Sequence, residues 1–482
     1  MELIVHSGRK TDVITFEQKT NLLALLQARG YSVSARCGGN GTCGKCGVKL
    51  LSGALCGEEK AGVYLSCKAE IEADAEIEIY ETAGGGLTDG AANAAVTDGE
   101  EGFGVALDLG TTTLAFALVR LKTGEILGKK SCLNPQGTYG ADVISRIKAA
   151  DEGNGAALAA CVKEKVNETL SEFCAEHRLG GIKRLCVAAN TTMLHLFVGA
   201  DASGIGKAPF TPSFLQTQYM RGGDEGIDSE EVVLLPSAHS FVGSDAICGA
   251  YYTRAAERGA CALLDIGTNG EIVLFSGGEI VCTSTAAGPA LEGANIECGT
   301  GGVAGAIDSV KRENGAIVCT TVGGGAPSGI CGSGLVDAVA VMLDEGVIDE
   351  TGAFETGEKF DVAGGVYVSQ KDVREFQLAK SAIAAGLSAL LARAGTERLD
   401  TLLIAGGLGF YLDEKSARRT GLLEDVADKT EIVGNASLGG AAQCLCSAAA
   451  LKACEALAQR ASYIDLSADA VFMEKYMEKM YF

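Results

Sequence analysis

What this chain lacks narrows its chemistry. Basic residues never cluster, and with 40 Lys and Arg against 62 Asp and Glu the net charge is −22. Nucleic acid and anionic membranes are therefore not expected partners, because neutralising their phosphates takes gathered cations. Four histidines in 482 residues leave little to build a His-rich metal site. Met1–Gly8 has no cationic segment leading into an apolar stretch of signal length. No apolar run reaches the length of a membrane span, since Asp108 and Asp265 interrupt the strongest candidates. A GxxxxGK(S/T) phosphate loop is missing as well. The eighteen cysteines are spread too thinly for a disulfide-stapled secreted domain. A cytoplasmic, reducing compartment is expected. The length exceeds what one core supports, so two or more domains are expected, and a 47% hydrophobic content gives them material to pack.

Against that background the amino end stands out. Cys37, Cys43 and Cys46 fall close together and Cys67 follows, with Gly38, Gly39, Gly41 and Gly44 between the first three. Short cysteine spacings plus one distant thiol suit a 2Fe-2S cluster, whose irons need thiolates converging from one tight loop and a second strand. Glycines allow the backbone to approach the sulfurs in dihedrals that a Cβ forbids. The first gap is one residue longer than the plant-type pattern, and a structural zinc site on the same four thiols is the alternative. Cys56 reads as a small buried hydrophobe.

Alternating apolar residues predict strands at Leu3–Val5 and Val13–Phe16, a helix over Asn21–Ala28, and further strands at Gly47–Leu51 and Glu76–Tyr80. This arrangement resembles the β-grasp of 2Fe-2S ferredoxins and sets the first domain at residues 1–81. Residues 82–102 are Gly, Ala, Thr and acidic residues, expected to form a flexible tether. Two related phrases follow: Val105–Thr113, with Asp108-Leu109-Gly110-Thr111-Thr112-Thr113, and Ala262–Glu271, with Asp265-Ile266-Gly267-Thr268-Asn269-Gly270. Each is an apolar strand, an aspartate, a Gly-Thr turn and a returning strand, predicting a duplicated α/β fold with halves at 103–258 and 259–455 and a tail at 456–482. A third phrase, Leu402–Gly409, runs a buried strand into a turn containing Gly406 and Gly407.

A nucleotide triphosphate held between two halves needs unobstructed backbone N–H groups, hydroxyls, and carboxylates that organise Mg2+. The two Asp-x-Gly-Thr turns offer all three, with Asp108 and Asp265 as outer-shell magnesium carboxylates. Gly406 and Gly407 would let the backbone lie against base and ribose. Among other residues, His195 reads as a packed core histidine, Asp142 and Arg146 as an i, i+4 ion pair, and Ser244 and Asp245 as a helix cap. Cys248, Cys298 and Cys331 read as buried thiols, and the acidic runs Asp98–Glu101 and Asp224–Glu231 as solvated surface.

The three phrases resemble the phosphate-1, phosphate-2 and adenosine motifs of the acetate and sugar kinase, Hsp70 and actin superfamily. Asn134-Pro135-Gln136, Tyr139–Ile147, Asn190–Leu196, Ala287–Gly293 and Ile330–Gly334 are similar to hallmark segments of the ATP-dependent reductive activators of corrinoid proteins. That resemblance implies a β-grasp cluster domain fused to an actin-like (ribonuclease H-like) ATPase. It also implies a 2Fe-2S cluster on Cys37, Cys43, Cys46 and Cys67, ATP with Mg2+, a corrinoid protein as partner, a low-potential electron donor upstream, and a possible homodimer. The activity implied is ATP-driven passage of one electron to Co(II), regenerating Co(I). One departure is expected: Glu101 runs almost directly into the first phosphate strand, leaving no separate linking and middle domain and putting dimer contacts there in doubt. Two other readings remain at this point, a redox-gated ATPase switch and a small-molecule kinase with an electron-transfer domain.

Overall fold

The computed structural model describes residues 1–7, 10–16, 18–29, 31, 46–57, 59–60, 63–79, 93–94, 96–408 and 412–482. Cys37, Cys43, the glycines between them, the expected tether up to residue 92, and Gly409 lie outside the described residues.

The amino-terminal module is a mixed sheet in the order Lys10–Thr15, Glu2–Ser7, Ala75–Ile79, Gly47–Gly53, Val63–Leu65, Glu59–Lys60. Glu2–Ser7 pairs parallel with Ala75–Ile79, and the other pairings are antiparallel. The helix Leu22–Ala28 packs on this sheet, with Leu22 and Leu26 fully buried against Leu3, Val5 and Ile77. Asn21 starts that helix, its Oδ1 accepting from the Ala24 N–H at 3.1 Å. The predicted hairpin, helix and later strands are all present, in the β-grasp arrangement.

Two further sheets repeat one another. In the first, Glu125–Leu133, Thr113–Arg120 and Phe103–Leu109 form an antiparallel meander, and Ile182–Ala189 and Ser229–Leu234 extend it in parallel beyond Phe103–Leu109. In the second, Glu279–Thr285, Gly270–Ser276 and Cys261–Ile266 form the same meander, extended in parallel by Leu399–Ala405 and Ala427–Gly434. The duplication read from the two Asp-x-Gly-Thr phrases is thus a duplication of strand order.

Strand periodicity decides where the aspartates point. Val105, Leu107 and Leu109 face a core built with the helix Gly155–His177, whose Leu158, Val162, Val166 and Leu170 form its buried stripe. Ala106 therefore faces the opposite side, where it packs with Ile247, Leu438, Ala441 and Ala442, and Asp108 shares that side. In the second sheet Ala262, Leu264 and Ile266 enter one core, while Cys261 and Leu263 enter another with Val242, Ala246 and Ala250, so Asp265 faces that way. Both carboxylates are thereby turned toward two crossing helices, Ser244–Tyr252 and Ala436–Cys446. The crossing is tight: a Cβ at Gly440 would stand 2.2 Å from the Cys248 carbonyl oxygen, and one at Gly439 would stand 2.7 Å from the Tyr252 ring.

Two expectations about the chain's organisation are corrected. The described end of the tether is docked rather than free. Ala94 N donates to Gly124 O at 2.8 Å, Asp98 N to Cys446 O at 2.9 Å, and Asp98 Oδ2 accepts from Ala448 N at 2.8 Å. Glu100 pairs with Lys183 and Arg184, and Arg184 also pairs with Glu231. These acidic residues are pins, not merely solvated surface. The region 456–482 is also no loose tail. Ser462–Tyr463 adds to the second sheet beside Glu279–Thr285, and the helix Ala470–Glu478 packs on the helix Gln370–Arg393. Among the described residues no helix is long and apolar enough to cross a membrane.

Candidate functional site

At the amino-terminal module, Cys46 precedes the strand Gly47–Gly53, and Cys67 lies in the turn after Val63–Leu65. The Ser66 N–H donates to Cys46 O at 2.9 Å, while Asn21 Nδ2 and Leu23 N hold the turn through Cys67 O and Ser66 O at 3.0 Å each. Both thiols are buried, and their sulfurs stand 3.2 Å apart. Two thiolates on one tetrahedral metal with bonds of about 2.3 Å lie about 3.8 Å apart, whereas a disulfide closes to about 2.05 Å. The pair is therefore close to the spacing of two ligands on one metal atom. Ser66 Oγ, buried beside it, has no hydrogen-bond partner among the described residues. A sulfur-rich group at this position would supply an acceptor, so the residues described fit a cluster. Cys56 departs from expectation: it is half-exposed and its Sγ approaches Glu72 Oε1 at 3.4 Å.

The second site lies between the repeated sheets. Gly110 N donates to Thr113 O at 3.0 Å and closes the first turn, where a Cβ on Gly110 would stand 2.6 Å from the Thr113 oxygen. Three of the hallmark segments hold this turn from outside. Asn134 donates through Nδ2 to Gly110 O at 2.8 Å and through its backbone N to Thr112 O at 2.9 Å. Asn190 Nδ2 donates to Thr111 Oγ1 at 3.1 Å, and Arg146 reaches Thr111 O at 2.6 Å and Gly140 O at 3.0 Å. The expected Asp142–Arg146 ion pair does not form. Asp142 caps its helix by accepting from Ser145 N at 2.7 Å, leaving the Arg146 guanidinium buried among carbonyls and Met193 Sδ. Burial pushes that guanidinium down to about 10.

The second turn is closed by Gly267 N donating to Asn269 O at 2.9 Å. One carboxylate oxygen joins the two turns: Glu292 Oε2 accepts from Thr268 Oγ1 at 2.5 Å and lies 3.4 Å from the Thr112 hydroxyl. Glu292 ends the short helical turn Pro289–Glu292 inside the Ala287–Gly293 hallmark. Gly406, at φ +92°, brings the third phrase against this floor; a Cβ there would meet Ile266 O at 2.5 Å and Asp265 Oδ1 at 2.7 Å. Gly406 is thus required by its contact with the second phosphate strand.

Asp108, Asp245, Asp265 and Glu271 gather at the floor, deep yet reached by solvent. Asp108 accepts from Asn435 Nδ2 and Ser437 Oγ, each at 2.8 Å. Burial raises its pKa and these two donors oppose the rise. Asp265 is pushed up to about 8 by burial, then by Asp245, Asp108 and Glu292, and Asp245 to about 7 by burial with Asp108 adding to it. Burial likewise holds Glu271 well above the usual carboxylate range, with Asp245 and Asp265 adding to the rise. Four carboxylates repelling one another, with no ion pair to Lys or Arg among the described residues, form a site that calls for a cation.

Glu271, Glu292, Asn435 and Ser437 had no assigned role in the sequence, and the role assigned to Asp245 was another one. Asp245 does not cap its helix; Gly243 occupies that position, and Ser244 Oγ instead bridges Ala189 N and O at 2.9 and 3.0 Å. Asn435-Ala436-Ser437 after the strand Ala427–Gly434 repeats the strand–Asn–helix order of Ile182–Ala189, Asn190 and Thr191–Val198 and could have been read that way. His195 is a satisfied core histidine, as expected: Nδ1 bonds Thr191 O at 2.7 Å, Nε2 accepts from Ser213 N at 3.0 Å, and the ring stacks on Phe214. Cys248 and Cys331 are buried, whereas Cys298 is half-buried.

A cluster-binding β-grasp module and a two-turn phosphate cleft on a duplicated sheet define a redox ATPase of actin-like architecture. Residues 5–72 match the 2Fe-2S iron-sulfur cluster binding domain, 103–258 the RACo middle region, and 259–482 the C-terminal domain of RACo, the ASKHA domain. A corrinoid activation enzyme, RamQ, of Eubacterium limosum is 32% identical over 412 residues, covering 78% of this chain and 69% of that protein. The [Co(II) methylated amine-specific corrinoid protein] reductase of Methanosarcina barkeri is 27% identical, covering 70% and 68%. The solved structure of a reductive activator for corrinoid, iron-sulfur protein superposes with a TM-score of 0.74 at 29% identity, covering 100% of this chain and 98% of that one. The chain belongs to the family of ATP-dependent reductive activators of corrinoid proteins. The expectation that a middle domain is missing is overturned, because residues 103–258 are that middle region and form the first half of the duplicated fold.

Proposed function

We propose that this protein couples ATP hydrolysis to the passage of one electron from a 2Fe-2S cluster to the Co(II) centre of a corrinoid protein, regenerating Co(I). The observation that carries the reading is the presence in one chain of a buried thiol pair at metal-ligand spacing and a carboxylate, Glu292, that spans both phosphate turns. Cys46 and Cys67, with Cys37 and Cys43, would hold the cluster, which supplies one-electron transfer when bound. A low-potential donor upstream reloads it.

In the cleft, Gly110–Thr113 and Gly267–Gly270 present N–H groups and hydroxyls to the phosphates. Asp108, Asp245, Asp265 and Glu271 would hold Mg2+, directly or through water, as an oxygen-only donor set suits that ion. Gly406 and Gly407 place backbone beside the nucleoside. Glu292, already accepting from a hydroxyl of each turn, is the group that orients the attacking water and takes its proton. Arg146, Asn134 and Asn190 fix the first turn in shape.

The test is anaerobic stopped-flow reduction of corrinoid proteins with and without ATP. Cys46→Ser should abolish reduction while leaving nucleotide binding intact, and Asp265→Ala should remove the ATP effect while leaving the cluster spectrum unchanged. Equal Co(I) formation rates with and without ATP for every corrinoid protein tried would sink the reading.

A further inference from the structure

We propose that Cys248, Cys444 and Cys454 form a second metal site, a buried thiolate centre for a soft divalent d10 cation of the Zn(II) and Cd(II) class, tying the two crossing helices together. The three thiols come from three helices, Ser244–Tyr252, Ala436–Cys446 and Ala448–Arg460, and their sulfurs all lie within 4.8 Å of one another. Cys444 and Cys454 stand 3.4 Å apart, and all three residues are buried. Three thiolates around one metal with bonds of about 2.3 Å are about 4 Å apart, so occupancy requires side-chain adjustments of under an ångström. The core around the trio is mostly Ala, Leu and Ile side chains with Tyr251 packed at its edge, and three sulfur donors select soft metals over Mg2+ or Ca2+.

Three thiols bind a divalent ion by giving up their protons, M2+ + 3 RSH giving M(SR)3− + 3 H+, which leaves a single negative charge where the fold already gathers the sulfurs. A monovalent ion would leave two in an apolar core, which disfavours it. Cys186 lies near enough to Cys444 for their charges to interact.

Position gives the site its consequence. Cys248 lies at the backbone contact with Gly440. The same two helices carry Asp245 at one amino end and, at the other, the Asn435 and Ser437 groups that hold Asp108. A metal at the crossing fixes the spacing of these groups.

The experiment uses the full chain, purified without oxygen and with its cluster intact, equilibrated with Cd(II) and desalted. The expected result is one Cd(II) per chain more than in Cys454→Ala or Cys248→Ala, a matching thiolate-to-Cd(II) absorption, and a melting temperature raised by several degrees in the parent alone. Both variants replace a buried thiol by a smaller apolar group, and cluster absorption reports that each is folded. Equal Cd(II) content in the parent and both folded variants overturns the proposal. So does the loss of two titratable thiols from the parent without retained metal, which identifies a Cys444–Cys454 disulfide instead.

Discussion

Replacing Glu292 by Gln probes the cleft at the point where its two halves meet. The substitution keeps shape and volume, and an amide oxygen can still accept from the Thr268 hydroxyl now 2.5 Å from Glu292 Oε2. Only the longer approach of Thr112, at 3.4 Å, is weakened, so the fold should lose less than about 1 kcal/mol. The amide cannot take a proton. General-base assistance is worth roughly 10²–10⁴ in rate, so kcat for ATP hydrolysis should fall by that factor, about 3–5 kcal/mol at 1.36 kcal/mol per decade. Nucleotide affinity should hold or improve, because a negative charge next to the terminal phosphate is removed. Two assays separate these effects: equilibrium binding of a fluorescent ATP analogue with Mg2+, and single-turnover hydrolysis. A hydrolysis rate within threefold of the parent refutes the role. Loss of nucleotide binding together with kcat also refutes it, since that result makes Glu292 a structural clasp.

Arg146→Met leaves the Thr111 and Gly140 carbonyls without their buried donor, at about 1–3 kcal/mol for each unsatisfied group. The KM for ATP should rise at least tenfold, and Arg146→Lys should not restore it, because one ammonium cannot reproduce the planar two-carbonyl fork; a KM within twofold of the parent contradicts this. Lys380 gives a pH prediction. It is buried, donates to Tyr481 O at 2.5 Å, and is lowered from 10.5 to about 8 by burial and then by Lys479. Between those values the unfolded chain holds a proton that the folded chain has released, so stability should rise with pH from about 8 to about 10.5 relative to Lys380→Met, by at most about 3 kcal/mol. Urea unfolding of the two proteins at paired pH values measures it, and parallel pH dependence counts against it.

The parts legible in the sequence are those where local backbone geometry and site chemistry coincide. Asp108-Leu109-Gly110-Thr111 is a strand end, a glycine-dependent turn and the proposed phosphate cradle at once, so one string announces fold and candidate site together. The same holds for the second phrase and for the amino-terminal strands. What stayed hidden depends on convergence of distant segments. Glu292 joins two turns that belong to different halves, and no spacing rule connects it to Thr112. The thiols of Cys248, Cys444 and Cys454 come from three helices, where a search for short cysteine spacings is blind. Residues 93–94 and 96–102 have the composition of a tether, yet two backbone bonds, a helix-end contact and the Lys183 and Arg184 pairs hold them. For Arg146 only the ion pair with Asp142 fails, because i, i+4 pairing presumes an exposed helix face and this one is turned inward against the first Gly-Thr turn.

The crossing helices and Glu292 together supply what energy coupling requires. A ferredoxin-type cluster near about −400 mV drives a lower-potential cobalt couple uphill at about 2.3 kcal/mol for each 100 mV. Nucleotide can offset that only through a difference in its affinity for two arrangements of the chain. The Thr268 and Thr112 hydroxyls are drawn to a single Glu292 oxygen. A triphosphate seated between the turns needs those same hydroxyls, so the bridge across the cleft and the phosphate contacts are alternatives. The pivot between the halves is stiff, because Gly440 and Cys248 meet backbone to backbone. Exchange of acceptors at the cleft is therefore expected to appear as rotation of one half against the other, measurable as a changed distance across the cleft on adding ATP. Substituting Gly440 would wedge that pivot before it touched any nucleotide ligand, which separates loss of coupling from loss of binding.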